Sequence, residues 1–406
     1  MSYFHLNLIL QGKLTVCCLL MLSAMPLNAQ REAKQIGDFK ESISLNEHLR
    51  GTKRTLQYRP DGDEFVCVNG KNRYTRALYG SHSPFRVETS DRPVFAFYNN
   101  GRGGNISFKV ILRDGTELAL DRTGYCESRY SAGKRTYYLT DPSWGKGELR
   151  ISVLALADMD GAIWRFSPSN MPKGAILRWQ HGGATGKRLS RNGDMGVDPA
   201  DCFELPAEAT DLVTGELSLQ KEVYLVRGEV SEGYNVRKLY QQAEAASLVL
   251  ASHLKIETPD PYLNTLGGAL VAAADGIWDG QVWLHGAIGW RMPLSGWRAG
   301  YTGDALGWHD RARTHFDAYA ASQVTDVPNT IPHPAQDSTM NLARSEKRWG
   351  TPQYSNGYIC RNPGRNNQMH HYDMNLCYMD ELLWHFNWTG DTAYVRKMWP
   401  VITRHL

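Results

Sequence analysis

The spacing of apolar residues changes once along the chain, and this change constrains the fold more than any other sequence feature. Between residues 55 and 230, short apolar runs alternate with polar residues, which is typical of β-strands. From Asn235 onward, apolar residues recur every three or four positions, which is typical of amphipathic helices. A run of strands followed by a run of helices predicts a multidomain β + α chain.

Turn signals divide the first half into short strands, which predicts an antiparallel β-sandwich. Asn69-Gly70 is a strong signal for a type I′ hairpin. Residues 101–104 are glycine-rich, but no helical pattern follows them, so we interpret them as a hairpin and not as a phosphate-binding loop. The predicted strands cover residues 64–68, 94–98, 106–112, 136–139, 149–156, 162–166, 176–179, 216–219 and 223–226.

In the second half, a linker helix is predicted over residues 235–258, followed by a helix that begins with Pro261 in its first turn. A third helix is predicted from Asp304 to about residue 322. A fourth carries apolar residues at 376, 379, 383 and 386, and a fifth begins at Asp391. The long connections between these helices are rich in aromatic, His and Arg residues, which favours a functional role for them.

The first residues are predicted to be removed from the mature protein. An apolar run over residues 14–27 follows Lys13 and precedes Ala29, which is the pattern of a cleavable signal peptide. The run is shorter than the ~20 residues that a bilayer span needs. We therefore expect an exported protein, periplasmic or secreted, with no membrane span after cleavage. The predicted divisions are a signal peptide (1–29), a β-sandwich domain (30–234), a linker helix (235–258) and a helical domain (259–406).

Charge and cysteine content exclude several classes of partner. The 45 Lys and Arg residues against 42 Asp and Glu residues leave a net charge of +3, which argues against a nucleic-acid-binding protein. No two cysteines of the predicted mature chain form a C-x-x-C pair, so a structural zinc site has no support and we expect no metal site. These cysteines are Cys67, Cys126, Cys202, Cys360 and Cys377. We also expect no cofactor.

A cluster of aromatic residues marks the predicted binding segment. Five of the twelve tryptophans lie between residues 278 and 310, where indole rings can stack on the C–H face of a sugar. Interleaved Arg and His residues can bond hydroxyl or carboxylate groups. The alternative is a tryptophan-rich packing core beneath a loop. The predicted substrate-binding residues are Trp283, His285, Trp290, Arg291, Trp297, Arg298, Trp308, His309 and His371.

Two short motifs in this segment resemble known glycosidases. Tyr301-Thr-Gly-Asp304 is similar to the Trp-Thr-Gly-Asp segment of bacterial α-L-rhamnosidases, and Ser295-Gly-Trp297 resembles the Ser-Gly-Trp-Asp loop of trehalase-like enzymes. With the order of strands, linker helix and helical hairpins, the chain resembles six-hairpin (α/α)6-toroid glycosidases. It looks closest to an uncharacterised family of exported proteins from polysaccharide-utilisation systems. Arg298 stands where the trehalase-like acid would fall, and Met292-Pro-Leu294 replaces the acidic residues of rhamnosidases.

The resemblance implies a supersandwich-like β domain and a glycoside hydrolase that acts on glycans derived from plant or host polysaccharides. Such an enzyme needs two carboxylates, and Asp304 and Asp310 are the predicted catalytic residues. Asp304 is predicted to open a helix, where the helix dipole favours its charged form, and an N-capping role is the alternative.

Two other functions remain open from the sequence. His370-His371-Tyr372 suggests a uronate-polysaccharide lyase, in which Tyr or His acts as the base. The third possibility is a non-catalytic glycan-binding protein. A six-hairpin toroid also needs more helices than the sequence predicts after Pro259, so the expected toroid is incomplete and the chain is expected to be a fragment or truncated product.

Overall fold

The fold is described by a computed structural model covering residues 57–71, 74–99, 102–182, 212–230, 233–286, 291–296, 299–325, 356–364 and 373–406. The predicted signal peptide and Cys202 lie outside the described residues. Four predicted binding residues lie outside them as well: Trp290, Trp297, Arg298 and His371.

Within the described ranges, fourteen strands precede the α-helices. They are β1 (Arg59–Asp61), β2 (Glu64–Val68), β3 (Tyr74–Leu78), β4 (Arg86–Ser90), β5 (Phe95–Asn99), β6 (Arg102–Ile111), β7 (Glu117–Ala119), β8 (Tyr125–Ser131), β9 (Lys134–Thr140), β10 (Glu148–Ala155), β11 (Gly161–Ser169), β12 (Ile176–Gly182), β13 (Val213–Ser218) and β14 (Val223–Gly228). Short 3-10 helices lie at Leu120–Arg122 and Pro142–Trp144.

The strands form two antiparallel sheets of seven strands each. One sheet has the order β1-β2-β8-β9-β10-β11-β14, and the other has the order β13-β12-β6-β5-β4-β3 with β7 paired to β6. Apolar side chains from both sheets meet in one core, where Phe95 and Phe97 of β5 contact the buried ring of Trp164 on β11. Two packed antiparallel sheets confirm the β-rich first half.

Each of the predicted strands is present, with ends shifted by a few residues at most. The predicted hairpin at residues 101–104 is also confirmed, because β5 pairs with β6 in a register that places Asn99 opposite Arg102. β4 was not predicted because its buried side chains are mostly polar, including Arg86, Glu88 and Thr89. Its lack of an apolar alternation hides it from a periodicity argument.

Asn69-Gly70 forms a turn, but the predicted hairpin there is wrong. Asn69 has a left-handed φ of 49°, yet β2 and β3 on either side of it belong to different sheets. The Asn69 side chain accepts a hydrogen bond from the backbone N–H of Cys126 at 3.0 Å, which ties the turn to β8. The turn therefore carries the chain from one sheet to the other.

Six helices follow the strands in the described part of the chain: α1 (Val236–Ala251), α2 (Pro261–Gly276), α3 (Gly300–Ala305), α4 (His309–Ala320), α5 (Asp373–Thr389) and α6 (Thr392–His405). The first two predicted helix starts agree with the observed N-caps. Asn235 caps α1 by accepting from Lys238 N–H at 3.0 Å, and Asp260 caps α2 by accepting from Tyr262 N–H at 2.8 Å. None of these helices is long and apolar enough to cross a membrane.

The third predicted helix is in fact two helices, α3 and α4. The break occurs at Gly307, whose φ of 74° is available to glycine at little cost. The prediction that Asp304 opens a helix is therefore wrong, because Asp304 is the next-to-last residue of α3. The dipole at a helix N-terminus therefore does not act on the Asp304 carboxylate.

The helices pack on each other and on the sheets. Side chains of α2, α4, α5 and α6 share one apolar core that includes Phe316 and Tyr378. Tyr262 and Leu266 of α2 pack against the core of the sandwich, while Leu239 and Ala243 of α1 pack on Leu154 and its neighbours in the first sheet. Of the cysteines in the described residues, Cys67, Cys126 and Cys360 are buried and Cys377 is exposed.

Candidate functional site

Two hydrogen-bonded contacts join α3 to α5 and create a buried polar cluster. The backbone N–H of Gly300 donates to Glu381 Oε2 at 2.9 Å, and one turn further along, Asp304 contacts His385. Because both pairs are spaced by four residues, the two helices run side by side in the same direction over this turn. A Cβ at position 300 would meet the Glu381 carboxylate, so a larger residue there would displace the end of that side chain.

Asp304 lies between two histidines. His385 Nδ1 is 2.9 Å from both carboxylate oxygens, and His309 Nδ1 is 2.8 Å from Oδ1. An ionised carboxylate only accepts hydrogen bonds, so both Nδ1 atoms carry a proton, and each neutral ring then has its lone pair on Nε2. Asp304 therefore sets the tautomer of both rings.

The two rings differ in their access to solvent. His385 is fully buried, and its Nε2 has no hydrogen-bond partner among the described residues. The side chain of His309, at the start of α4, is 42% exposed, whereas that of Asp304 is 3% exposed. A ligand can therefore reach the imidazole of His309 but has almost no access to the carboxylate that holds it.

A second polar pair lies on the outer side of α3. The Tyr301 hydroxyl donates to Asp380 Oδ2, and Asp380 is exposed on α5. Desolvation of the phenol raises the pKa of Tyr301 above its usual range, and the hydrogen bond to Asp380 raises this pKa further. Tyr301 thus remains a protonated donor at neutral pH. Tyr301 and Asp304 are three residues apart, which places them on adjoining faces of one turn.

Asp310 does not join this cluster in the described structure. Its side chain is 94% exposed on α4 and forms an i,i+3 ion pair with Arg313. An exposed pair of this kind is a common helix-surface feature and contributes little to stability. The geometry gives Asp310 no contact with Asp304, with which it was predicted to act.

The described tryptophans of the aromatic segment are packed and do not form an open sugar platform. Trp283 is fully buried, and its ring lies 4.7 Å from that of Trp278. Trp308 is 9% exposed, with the guanidinium of Arg311 over its ring at 4.4 Å. In these positions the packing interpretation of the cluster fits better than direct stacking on a sugar.

His285 and Arg291 hold the segment in place. The backbone N–H of His285 donates to the carbonyl of Met292 at 3.0 Å, which closes a short loop. Arg291 donates to the carbonyl of Gly276 at 3.0 Å, at the end of α2, and to the carbonyl of His82 at 2.8 Å. Arg291 therefore links the helical region to a loop of the β region.

His385 and Glu381 were not predicted as site residues. They share one face of α5 because they are four residues apart, and both are buried. The Glu-x-x-x-His spacing on α5 is only a weak sequence signal for a functional site, because nothing in the sequence says which helix faces α3. Among the described residues no group of three or more His, Cys, Asp or Glu side chains is arranged to hold a metal ion.

Residues 100–235 match the model of a protein family described as a domain of unknown function (DUF4450). No curated protein matches the chain. A solved structure of a bacterial glucoamylase complexed with acarbose is similar at 9% identity and a TM-score of 0.41, over 63% of this chain and 53% of that chain. The chain thus spans about half the length of that glucoamylase.

Proposed function

We propose that this chain acts on oligo- or polysaccharides as a glycoside hydrolase-like protein, with His309 as the general base. The observation that carries the proposal is the buried carboxylate of Asp304, which contacts Nδ1 of the accessible His309 ring. A carboxylate behind an exposed imidazole orients the ring and stabilises its protonated form. This is the arrangement that base catalysis requires.

In this proposal, Nε2 of His309 takes a proton from a water molecule as its oxygen attacks the anomeric carbon. The positive charge that forms on the ring is stabilised by Asp304, which acts as a positioning residue. His385 holds the other side of the same carboxylate and fixes its orientation. The sequence predicts Asp304 to be catalytic. In this proposal its carboxylate acts through a histidine and not on the sugar itself.

The departing oxygen needs a proton, and solvent water supplies it in this proposal. Asp380 is not proposed as the acid because its carboxylate accepts a hydrogen bond from Tyr301, which favours the ionised form. Glu381 is not proposed for this role because it is buried and accepts the N–H of Gly300.

The architecture, the substrate class and the location of the protein are proposed from the sequence. Helices α2–α6 are proposed to be part of an (α/α)6 toroid and the two sheets to be a supersandwich, with substrates derived from plant or host polysaccharides. Trp290, Trp297, Arg298 and His371 stay predicted substrate-binding residues. Export to the periplasm or beyond is proposed from the signal-peptide pattern, and detection of the mature protein in a periplasmic or culture fraction tests it.

The experiment that tests the function uses one set of samples and three readouts. The purified chain is incubated with neutral and uronate-containing oligosaccharides, and new reducing ends, ultraviolet absorbance of a conjugated double bond, and calorimetric binding are measured. The proposal expects new reducing ends without the absorbance. Absorbance would indicate the lyase alternative, and binding without any product would indicate a non-catalytic glycan-binding protein. Either result overturns the hydrolase proposal.

A further inference from the structure

A separate cavity lies between the first sheet and three of the helices. Its volume is about 410 Å³, which is within the size range of small-molecule sites. Leu154 and Ala155 of β10 and Ala243, Ala246 and Leu250 of α1 form an apolar wall. This wall offers a surface for C–H groups.

The other end of the cavity is polar and holds an ion pair. Arg311 Nη1 is 2.6 Å from Asp275 Oδ1, and His82 Nε2 is 3.3 Å from the same oxygen. The Arg311 guanidinium lies over the Trp308 ring at 4.4 Å and the Trp278 ring at 5.7 Å, which fixes its plane. Desolvation by burial acts to raise the pKa of Asp275, but the contacts with His82 and Arg311 together outweigh it and lower this pKa, so the carboxylate is ionised at neutral pH.

Each member of the ion pair keeps hydrogen-bonding capacity. Within the described part of the chain, Nε and Nη2 of Arg311 have no hydrogen-bond partner, and neither does Oδ2 of Asp275. These three atoms are not fully enclosed, because none of them belongs to the buried atoms without a hydrogen-bond partner. The polar end therefore offers two donors and one acceptor that a ligand can reach, on groups whose charges cancel.

We propose that this cavity binds a neutral saccharide of one or two rings, at a site distinct from the Asp304 cluster. A sugar hydroxyl both donates and accepts, so adjacent hydroxyls match Asp275 Oδ2 and the free donors of Arg311 together. The C–H face of the same ring matches the alanine and leucine wall. An anionic ligand fits less well, because its charge would lie beside the carboxylate of Asp275.

The test measures binding directly by calorimetry with glucose, galactose, xylose, maltose and cellobiose, and with glucuronate and galacturonate as anionic counterparts. In the Ala246→Trp variant an indole fills the cavity, whereas Ala245→Trp places the same side chain at the neighbouring exposed position of α1. We expect at least one neutral sugar to bind at millimolar concentration. Ala246→Trp should weaken this binding roughly tenfold or more, about 1.4 kcal/mol, and Ala245→Trp should not.

Arg311→Met provides an independent variant, because it removes the free donors without filling the space. It should also weaken binding, and thermal melting of each variant shows whether it is folded. The proposal is overturned if none of the five neutral sugars binds, if a uronate binds more tightly than its neutral counterpart, or if folded Ala246→Trp binds like the unmodified chain. Binding is read without turnover, so these outcomes do not depend on the hydrolase proposal.

Discussion

His315 is a fully buried histidine whose ring cannot be protonated without a large cost. Its Nδ1 accepts the backbone N–H of Trp283 at 3.1 Å, and Nε2 has no partner among the described residues. Burial lowers the pKa of His315 from 6.5 to about 3. The ring is therefore neutral in the folded protein over a range of pH in which the unfolded chain binds a proton.

This difference makes the free energy of unfolding depend on pH. Because the unfolded state takes up a proton below about pH 6.5 and the folded state only near pH 3, stability should fall as pH decreases across that window. Urea denaturation at several pH values measures the slope. His315→Leu should make this slope smaller. It should also lower the free energy of unfolding at every pH by roughly 1–3 kcal/mol, because the Trp283 N–H loses its acceptor.

The surface variant Thr314→Ala, one residue earlier on α4, should keep the full slope. His405 contributes in the same direction because burial also lowers its pKa, so the slope should be reduced in His315→Leu and not removed. An unchanged slope in that variant would show that His315 is not the group responsible.

Residue-scale prediction from the sequence was least complete where a role depends on a distant neighbour. Asp304 was singled out by its motif, but His385, its partner, lies 81 positions later. Only the alignment of α5 with α3 brings the two together. In contrast, the capping role of Asp260 and the place of Pro261 follow from local chemistry, which a sequence contains.

At the scale of elements, the segment 291–296 is fixed by its contact with α5. A Cβ at Gly296 would overlap the carbonyl oxygen of Met374 and the backbone nitrogen of Tyr378. Both atoms belong to helical backbone and cannot move aside as a side-chain end can. The close approach of these two backbones therefore depends on glycine.

Gly296→Ala should destabilise the protein by about 1–3 kcal/mol, because the segment must move away from α5 to relieve the overlap. Chemical denaturation measures the change. Gly364→Ala is the matched control, since a Cβ there meets nothing within 4 Å and its φ is not in the left-handed region. Equal stability of the two variants would contradict the close approach.

A strand was predictable where the apolar periodicity is regular, as in β10. A helix was predictable where the periodicity and the N-cap agree, as in α1 and α2. The break between α3 and α4 was missed because Gly307 is one residue in an otherwise helical pattern. On α5 the apolar face was also misjudged. Leu376 and Leu383 are exposed, while Asn375, Glu381 and His385 are buried, since polar contacts with other segments decide which face turns inward.

At the scale of the whole molecule, Arg291 joins the β region to the helical region. One guanidinium donates to carbonyls at the end of α2 and in the loop after β3. A lysine carries a single ammonium group and cannot match the planar fork that reaches both carbonyls.

Arg291→Met should lower the free energy of unfolding by roughly 1–3 kcal/mol, because the carbonyls of Gly276 and His82 lose a charged donor. Arg291→Lys should lower it as well, because one ammonium group cannot reach both carbonyls. Arg396→Met, which removes an exposed arginine from α6, should leave it nearly unchanged. Calorimetric or denaturant unfolding compares the three variants. Full stability of Arg291→Lys would show that the fork geometry is not needed.

The proposed role of His309, which is accessible and held by the buried carboxylate of Asp304, is that of the base in a glycan hydrolase. Its most direct test is the rate of reducing-end release by the unmodified chain, His309→Gln, Asp310→Asn and Thr314→Ala, on a glycan that the unmodified chain hydrolyses. We expect His309→Gln to lower kcat by about 10²–10⁴-fold with intact folding, because general base catalysis contributes that much. Thr314→Ala and Asp310→Asn should remain near the unmodified rate. Equal rates for His309→Gln and Thr314→Ala would contradict the role of His309 as the base, as would a large loss confined to Asp310→Asn.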